Sequence, residues 1–204
     1  MKIKKCRVCD SKRLLKLFSL GKLSFTGKFS SSRKKNIKKD FISLVMCNTC
    51  SLVQLDRNFN SNFLYGKDYG YRTGINSTMT NHVKNVVKQA SKFVKLKKKD
   101  AVLDIASNDG TLLNFYKNNV ITVGIDPILS KYKNNYKNIN YKIPSFFNSN
   151  SVKKAKVNKY KIITALSVFY DLKNPNEFIK IIKKILHKDG VFVLEHADLM
   201  LILK

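Results

Sequence analysis

Four cysteines in two closely spaced pairs limit the fold of this chain more than any other sequence feature. Cys6 and Cys9 stand in the segment CRVCD, Cys47 and Cys50 stand in CNTCS, and the chain has no further cysteine. Two intervening residues let a pair of thiolates reach one tetrahedral ion, and two such pairs complete a four-sulfur zinc site. We expect a structural zinc, because a site closed by four protein ligands leaves no open position for chemistry.

Other uses of the cysteines are disfavoured by their context. A reducing compartment disfavours disulfides, and a redox-active pair normally stands between a strand and a helix, which neither pair does. The pairs are separated by residues 10–46, an insertion longer than that of compact zinc fingers. We therefore predict a zinc-binding module over residues 1–60 whose small core depends on the metal.

The amino-acid composition limits the classes of protein to which this chain can belong. A hydrophobic content of 44% supports a packed core and excludes a chain that is disordered throughout. No apolar run reaches the roughly 18 residues of a membrane-spanning helix, and the basic N-terminus lacks the apolar core of a secretory signal. We expect a cytoplasmic protein, monomeric and without a membrane partner.

The net charge of +27 raises the question of a nucleic-acid partner. Of the 40 basic residues 35 are lysine and only 5 are arginine, the residue preferred for bidentate recognition of bases and phosphates. The basic residues are also spread along the whole chain. We favour a lysine-rich surface whose positive field attracts a small anionic substrate over a surface that binds nucleic acid.

Strand and helix patterns alternate after residue 100. Strands are predicted at AVLDIA, VITVGID, INYKI, YKIITALSVF and VFVLEH, and helices at TLLNFYKNN and at PNEFIKIIKKILHKDG, which ends at Gly190. Strands separated by helices predict an α/β fold with a doubly wound, mostly parallel Rossmann-like sheet over residues 100–204. Residues 61–99 are predicted to form a tyrosine-rich loop and a connecting helix.

The segment VLDIASNDGTLL has the pattern of a strand, a turn and a helix start that bind a nucleoside. Only Gly110 stands where dinucleotide-binding folds have three glycines, and Asp126 ends the next strand, where an acid can bind two ribose hydroxyls. The charge of Asp109 would repel a pyrophosphate. We expect S-adenosylmethionine (SAM), a cationic nucleoside without phosphates, although a plain strand–helix turn remains the bland alternative.

Together these segments carry a resemblance to a known family. VLDIASNDGTLL, VGIDP and SVFYDLKNPNEF, after two Cys-x-x-Cys pairs and CSLVQL, resemble the class I SAM-dependent methyltransferases of the sugar C-methyltransferase type. The match covers essentially the whole chain in the family's order. The family begins with a zinc-binding domain, replaces the glycine loop with SNDG and acts on nucleotide-linked keto-deoxysugars, which we expect as the substrate here.

The resemblance implies a cofactor site at the start of the sheet. By this resemblance, the loop 106–110 runs beside the amino-acid end of SAM and Asp126 holds the ribose. Pro127 and Ile128 line the adenine site. Phe146 and Phe147 either pack near adenine or belong to the core. The residues implied to bind the cofactor are Asp104, Ala106, Ser107, Asn108, Asp109, Gly110, Asp126, Pro127 and Phe147.

Methylation at carbon requires a base that removes the proton beside a ketone, and histidine is the usual choice. The family supplies it from a Tyr-His-Glu-His type segment after the fifth strand, which this chain lacks, so we expect the sheet domain to be truncated there and the main base to be missing. Our catalytic candidates are Tyr71, in the family's tyrosine-bearing segment, and His196, after Glu195 at the mouth of the fifth strand; packing or structural roles are the alternatives. We expect His187 to interact with a helix dipole and His82 to lie on the surface or between domains.

Two other functions stay open from the sequence. A zinc-ribbon RNA-binding protein or an RNA methyltransferase would use the positive charge, and it predicts tight, strongly salt-dependent RNA binding. A non-catalytic fragment that binds SAM would explain a missing base. Asp171, after the fourth strand, could orient a substrate or cap the next segment.

Overall fold

The computed structural model describes residues 1–25, 37–66, 69–136 and 138–202. The chain divides into two units, Met1–Tyr71 with Lys173–Asn176, and Arg72–Leu172 with Glu177–Lys204. Each unit has a sheet of its own. The first unit carries both cysteine pairs, and the second carries the loop that we expect to bind SAM.

The first unit is built on three antiparallel strands in the order β1-β2-β3: β1 is Leu14–Ser24, β2 is Lys39–Cys47 and β3 is Val53–Leu55. A four-residue helix, α1 (Ser61–Leu64), follows and is capped by the side chain of Asn60. Among the described residues of this unit, the buried hydrophobic side chains are Cys6, Val45 and Cys47. So small an apolar core requires another source of stability, which a metal can supply.

The second unit contains a five-stranded sheet in which every neighbouring pair is parallel. Its strands are β4 (Ala101–Ile105), β5 (Ile121–Ile125), β6 (Tyr141–Ile143), β7 (Tyr160–Leu166) and β8 (Leu186–Glu195). The strand order β6-β5-β4-β7-β8 changes direction between β4 and β7. The predicted α/β fold with a parallel Rossmann-like sheet is confirmed, and ligands of such sheets bind at the carboxyl ends of the strands near this change of direction.

Helices cover the sheet where apolar side chains recur at helical spacing. They are α2 (Ser77–Phe93), α3 (Ser149–Lys153), α4 (Pro175–Ile185) and α5 (Leu199–Ile202), with 3₁₀ turns at Thr73–Ile75, Leu113–Phe115, Leu129–Asn135 and Phe169–Asp171. Helix α4 buries Phe178, Ile181, Ile182 and Ile185, the i, i+3, i+4, i+7 stripe that packs into the core of the sheet. The side chain of Asn76 caps the start of α2 by accepting from the N–H groups of Thr78 and Met79.

Two helix predictions need correction. The segment TLLNFYKNN forms only the 3₁₀ turn Leu113–Phe115, because no side chain caps its start and two asparagines, which favour turns over helices, close it. The helix predicted to end at Gly190 ends at Ile185, and β8 begins at the next residue. Residues 186–190 join the edge of the sheet because Leu186 pairs with Tyr160, with an irregular register before Ile162.

None of the helices in the described part of the chain is both long and apolar enough to cross a membrane.

Candidate functional site

The two cysteine pairs lie in turns of the same shape. Each pair is followed by a residue in the left-handed region, Asp10 with φ 58° and Ser51 with φ 61°. Each first cysteine accepts a backbone N–H four residues on: Asp10 N–H donates to the carbonyl of Cys6 at 3.2 Å, and Ser51 N–H donates to that of Cys47 at 2.8 Å. Each of these two equivalent turns therefore carries two of the four thiols.

The four sulfur atoms converge on one point. All lie within 4.8 Å of one another, with Cys6 Sγ 3.7 Å from Cys50 Sγ and Cys9 Sγ 3.5 Å from Cys47 Sγ. Sulfurs that bind one zinc tetrahedrally at ~2.3 Å are ~3.8 Å apart, so the cluster fits this ion. The side-chain amide of Gln54 also donates to Cys6 Sγ at 3.3 Å, an outer contact typical of a structural metal site. The predicted zinc-binding module is therefore confirmed in its ligand geometry.

The loop after β4 has the backbone conformation of a glycine-rich loop, although only one of its residues is glycine. Ala106, Asn108 and Gly110 have φ values of 59°, 50° and 79°, so every second residue lies in the left-handed region. Glycine adopts this region freely and asparagine at moderate cost, whereas alanine is strained there. Left-handed positions occupied by other residues recur where function requires the backbone shape.

A buried carboxylate at the end of β5 holds this loop in place. Asp126 Oδ2 accepts the N–H of Asn108 at 2.9 Å, and its Oδ1 accepts the N–H of Ile128 at 2.8 Å. Only 6% of the Asp126 surface is exposed. Each carboxylate oxygen has a second lone-pair site, so both can still accept a hydroxyl of a ribose.

Tyr136 supports this loop through hydrogen bonds, and no sequence motif predicted that role. Its hydroxyl donates to the carbonyl of Asn108 at 2.7 Å and accepts from Ser107 Oγ at 2.9 Å. Burial raises the pKa of Tyr136, so this hydroxyl stays protonated. A Cβ added at Gly110 would stand 3.0 Å from the Tyr136 ring, which is why the last left-handed position is a glycine.

The surroundings of Asp109 do not support the expectation that its charge would repel a pyrophosphate. Asp109 is fully buried, and Thr111 Oγ1 donates to its Oδ1 at 2.6 Å while the N–H of Gly74 donates to its Oδ2 at 3.0 Å. Arg72 Nε lies 3.6 Å from the same Oδ2. The carboxylate therefore attaches the segment before α2 to the loop, where its charge is balanced by protein groups and does not repel a pyrophosphate.

Asp104 lies inside the sheet next to the site. It is 4% exposed and accepts a hydrogen bond from Thr164 Oγ1 at 2.6 Å. Burial, with a smaller contribution from the charge of Asp126, raises the pKa of Asp104 to about 7, and burial raises the pKa of Asp126 to about 6. Two buried acids with raised pKa values favour a neighbouring cation, because a positive charge lowers the cost of ionising both.

Replacing Asp104 with asparagine should remove part of the pH dependence of stability. The native carboxyl keeps its proton up to about pH 7, whereas the unfolded chain releases it near pH 3.8, so the native state binds more protons between these values. The wild-type free energy of unfolding therefore falls as pH rises through this window. Relative to wild type, D104N should gain on the order of a few kcal/mol between the two pH limits and no more above them.

Urea unfolding of both proteins, followed by circular dichroism at a series of pH values, measures this difference. The exposed variant Asp189→Asn is the control and should follow the wild-type curve. A D104N curve parallel to wild type at all pH values would contradict the raised pKa.

Replacing Ala106 with glycine should stabilise the second unit. Glycine relieves the strain of the left-handed position, about 1–2 kcal/mol, and loses about 0.5–1 kcal/mol through the flexibility of the unfolded chain. The matched control, Ala165→Gly in the buried strand β7, should lose about 1 kcal/mol or more, because that position has no strain to relieve. Thermal unfolding of both variants gives the two signs, and a destabilised A106G would contradict the loop geometry.

The remaining predicted residues lie in different places. Pro127 is half-buried beside Asp126. Phe147 is partly buried against the core and packs on Phe178 of α4 with 4.9 Å between ring centroids. Tyr71 ends the first unit, where its ring lies 6.5 Å from that of Tyr69.

The three histidines have different partners in the structure. His187 lies in β8 near its amino end, 3.6 Å from Asp189. His196 is exposed beyond the carboxyl end of β8, and its Nδ1–H donates to the carbonyl of Ala197 at 2.6 Å. His82, expected on the surface or between domains, lies in α2 and is paired with Glu195 through its Nε2. The pairing joins residues 113 positions apart, so no local pattern in the sequence could have indicated it.

Family models match both parts of the chain. Residues 6–65, which contain all four cysteines, match the model of a zinc binding domain. Residues 68–201, which contain the left-handed loop and Asp126, match the model of a methyltransferase domain. No curated protein sequence matches the chain at a significant level.

Several solved structures are similar to part of the chain at low identity. A plantazolicin methyltransferase bound to a triazolic analogue and S-adenosylhomocysteine (SAH) is 18% identical, with a TM-score of 0.44 over 54% of this chain and 44% of that one. A SAM-dependent methyltransferase from Clostridium acetobutylicum is 18% identical, with a TM-score of 0.43 over 55% and 48%. Coclaurine N-methyltransferase bound to N-methylheliamine and SAH is 18% identical, with a TM-score of 0.44 over 63% and 38%. The chain thus spans less than half the length of these three structures.

Proposed function

Since the chain belongs to the family of methyltransferase domains, we propose that it binds SAM at the carboxyl edge of its parallel sheet and transfers the methyl group to carbon in a nucleotide-linked keto-deoxysugar. The observation that carries the cofactor assignment is the loop of alternating left-handed residues, Ala106, Asn108 and Gly110, at the end of β4. This loop stands beside the point where the strand order changes direction, the ligand site of such sheets.

The charges at this edge support a cationic ligand. Asp104 and Asp126 are both buried and both have raised pKa values, so ionising them is costly without a positive partner. The sulfonium and ammonium groups of SAM supply positive charge and bring no phosphate. These two acids, and not Asp109, therefore favour SAM over a dinucleotide.

Bound SAM supplies a methyl group on a positively charged sulfur that accepts the electron pair of the broken bond. The residues of this chain that would hold it are the loop 106–110, whose backbone faces the site, and Asp126, whose oxygens can accept the ribose hydroxyls. Tyr136 and Arg72 would keep the loop in shape by the contacts described above. A loop held on both sides loses little freedom when the ligand binds.

Two features of the chain support a nucleotide-linked sugar as the acceptor. The chain carries a zinc binding domain followed by a methyltransferase domain, in the order of the sugar C-methyltransferases that its motifs resemble. The net charge of +27 favours an anionic substrate such as a nucleoside diphosphate. A ketone beside the methylated carbon makes that carbon acidic enough for proton removal by a side chain.

Isothermal titration calorimetry of the zinc-loaded chain with SAM and SAH tests the cofactor assignment. We expect both to bind, with NAD as a control ligand that does not bind. Tight NAD binding with no heat from SAM or SAH would overturn the proposal. The alternative of an RNA methyltransferase predicts strongly salt-dependent RNA binding. A titration with total RNA at two salt concentrations tests that alternative.

A further inference from the structure

The segment that precedes α2 is fixed onto the loop that we propose binds SAM. Thr73 N–H donates to Asn108 Oδ1 at 3.0 Å, and Gly74 N–H donates to Asp109 Oδ2 at 3.0 Å. A Cβ at Gly74 would stand 2.5 Å from Thr111 Oγ1, so glycine is the residue that permits this close approach. The residue that begins the segment is therefore held beside the loop.

Arg72 begins this segment, and its guanidinium is held on two sides. Its Nε lies 3.6 Å from Asp109 Oδ2, and the guanidinium carbon lies 4.9 Å from the ring centre of Tyr132. A guanidinium over an aromatic ring is attracted by the negative face of that ring. Because Asp109 and Tyr132 are themselves buried, they fix the position of the guanidinium.

Arg72 has hydrogen-bond donors that the described residues do not use. Among these residues, none accepts a hydrogen bond from its buried Nε or from its terminal NH₂ groups, and 32% of the side chain is exposed. Asp109 does not require Arg72 as a donor, because its oxygens accept from Thr111 Oγ1 at 2.6 Å, Thr111 N–H at 3.3 Å and Gly74 N–H at 3.0 Å. A buried donor without an acceptor is unfavourable, and a ligand can supply the acceptor.

The charges of SAM require both signs at this edge of the sheet. Its sulfonium and ammonium groups suit the buried acids Asp104 and Asp126, but those acids repel the carboxylate of its methionine part. Arg72 brings a positive charge into contact with the loop. A planar guanidinium fits a carboxylate through two parallel N–H···O bonds, a match that the ammonium of lysine does not offer.

The position of Arg72 along the loop agrees with this use. Asp126, which we propose binds the ribose, accepts the N–H of Asn108, and Arg72 contacts Asp109, the next residue of the loop. The ribose and the methionine part of SAM are joined through the sulfur, so the groups that bind these two parts lie close together. A guanidinium also binds phosphate, so a test of this contact needs ligands that contain no phosphate.

We infer that Arg72 binds the carboxylate of the methionine part of SAM, an inference that rests on the proposed function. Two N–H donors on one edge of the guanidinium bond to the two carboxylate oxygens. The contact joins the bound cofactor to the segment before α2, which Thr73 and Gly74 already attach to the loop. It also makes the site selective for nucleosides that carry an amino-acid carboxylate.

Two ligands that differ in one group test this inference. SAH and decarboxylated SAH, which lacks only the carboxylate, are titrated into the zinc-loaded chain by calorimetry. The ratio of the two affinities should fall by about 10- to 100-fold in Arg72→Ala, because only SAH loses a charged hydrogen-bond partner. Arg72→Lys keeps the charge without the paired donors and should lose part of the ratio. Arg72→Gln gives a second uncharged variant if the alanine variant does not fold.

The matched control is Lys92→Ala, which removes one positive charge from an exposed position in the last turn of α2 and should keep the wild-type ratio. An R72A variant that weakens both ligands equally would show that Arg72 only supports the loop, and it would overturn the inference. So would an R72A variant that binds both ligands as wild type does. Wild type that binds neither ligand would instead remove the proposed function, so the two failures are distinguishable.

Discussion

Asp126→Ala is expected to weaken SAM binding by about 100-fold or more, the largest effect of any single change at the cofactor site. The change removes both ribose acceptors, and charged hydrogen bonds contribute about 1.5–3 kcal/mol each. It also leaves the buried N–H groups of Asn108 and Ile128 without an acceptor, which costs about 1–3 kcal/mol for each. Both the affinity and the free energy of unfolding should fall.

Calorimetric titration with SAM and urea unfolding measure the two effects. Asp126→Asn keeps the size of the side chain and one acceptor oxygen, so it should lose less stability than the alanine variant and still bind SAM poorly. Asp189→Ala, which removes a largely exposed carboxylate, should leave both quantities unchanged. SAM affinity that survives in D126N and D126A alike would contradict the assignment of Asp126 to the ribose.

Removing the zinc is expected to unfold the first unit. The apolar core of its described residues is small, and binding of a structural zinc by four thiolates contributes on the order of 10 kcal/mol in comparable modules. Cys47→Ser replaces a fully buried thiolate and should abolish tight metal binding. Chelation of the wild-type protein should give the same loss of structure.

Metal analysis and far-UV circular dichroism check this result. Wild type should contain one zinc per chain, and cobalt in its place should show the spectrum of a tetrahedral thiolate site. Thr49→Ala lies in the same turn as Cys47 and Cys50 and leaves the sulfurs in place, so it should retain the metal. A C47S protein with full zinc content and unchanged stability would contradict the four-cysteine site.

Much of the architecture was predictable because it depends on local periodicity. The five strands of the parallel sheet were located from runs of buried apolar residues, and the stripe of Phe178, Ile181, Ile182 and Ile185 indicated α4. The methyltransferase class and the zinc-binding module are confirmed by family models over residues 68–201 and 6–65. The prediction of a helix at TLLNFYKNN was wrong, because the segment lacks a side-chain cap at its start and ends in two asparagines that favour turns.

The contents of the site were less predictable, because they depend on residues far apart in the chain. Asp109 was interpreted as a charge that would repel a pyrophosphate, yet Arg72 and Gly74, some 35 residues earlier, contact its carboxylate. Tyr136 follows Ser107 by 29 residues and still supports the loop. Neither contact has a spacing rule, since each results from how a turn packs on the sheet.

The sequence by itself predicted the cluster of four cysteines, the parallel sheet and the loop that we propose binds the cofactor, because paired cysteines and hydrophobic periodicity act over short distances. Only the tertiary structure decided how that loop works. It showed that Ala106 and Asn108 adopt glycine-like conformations, and it paired His82 with Glu195 across 113 residues. Backbone conformation and long-range pairing are set by packing, in which each residue's neighbours come from strands and helices that no local pattern connects.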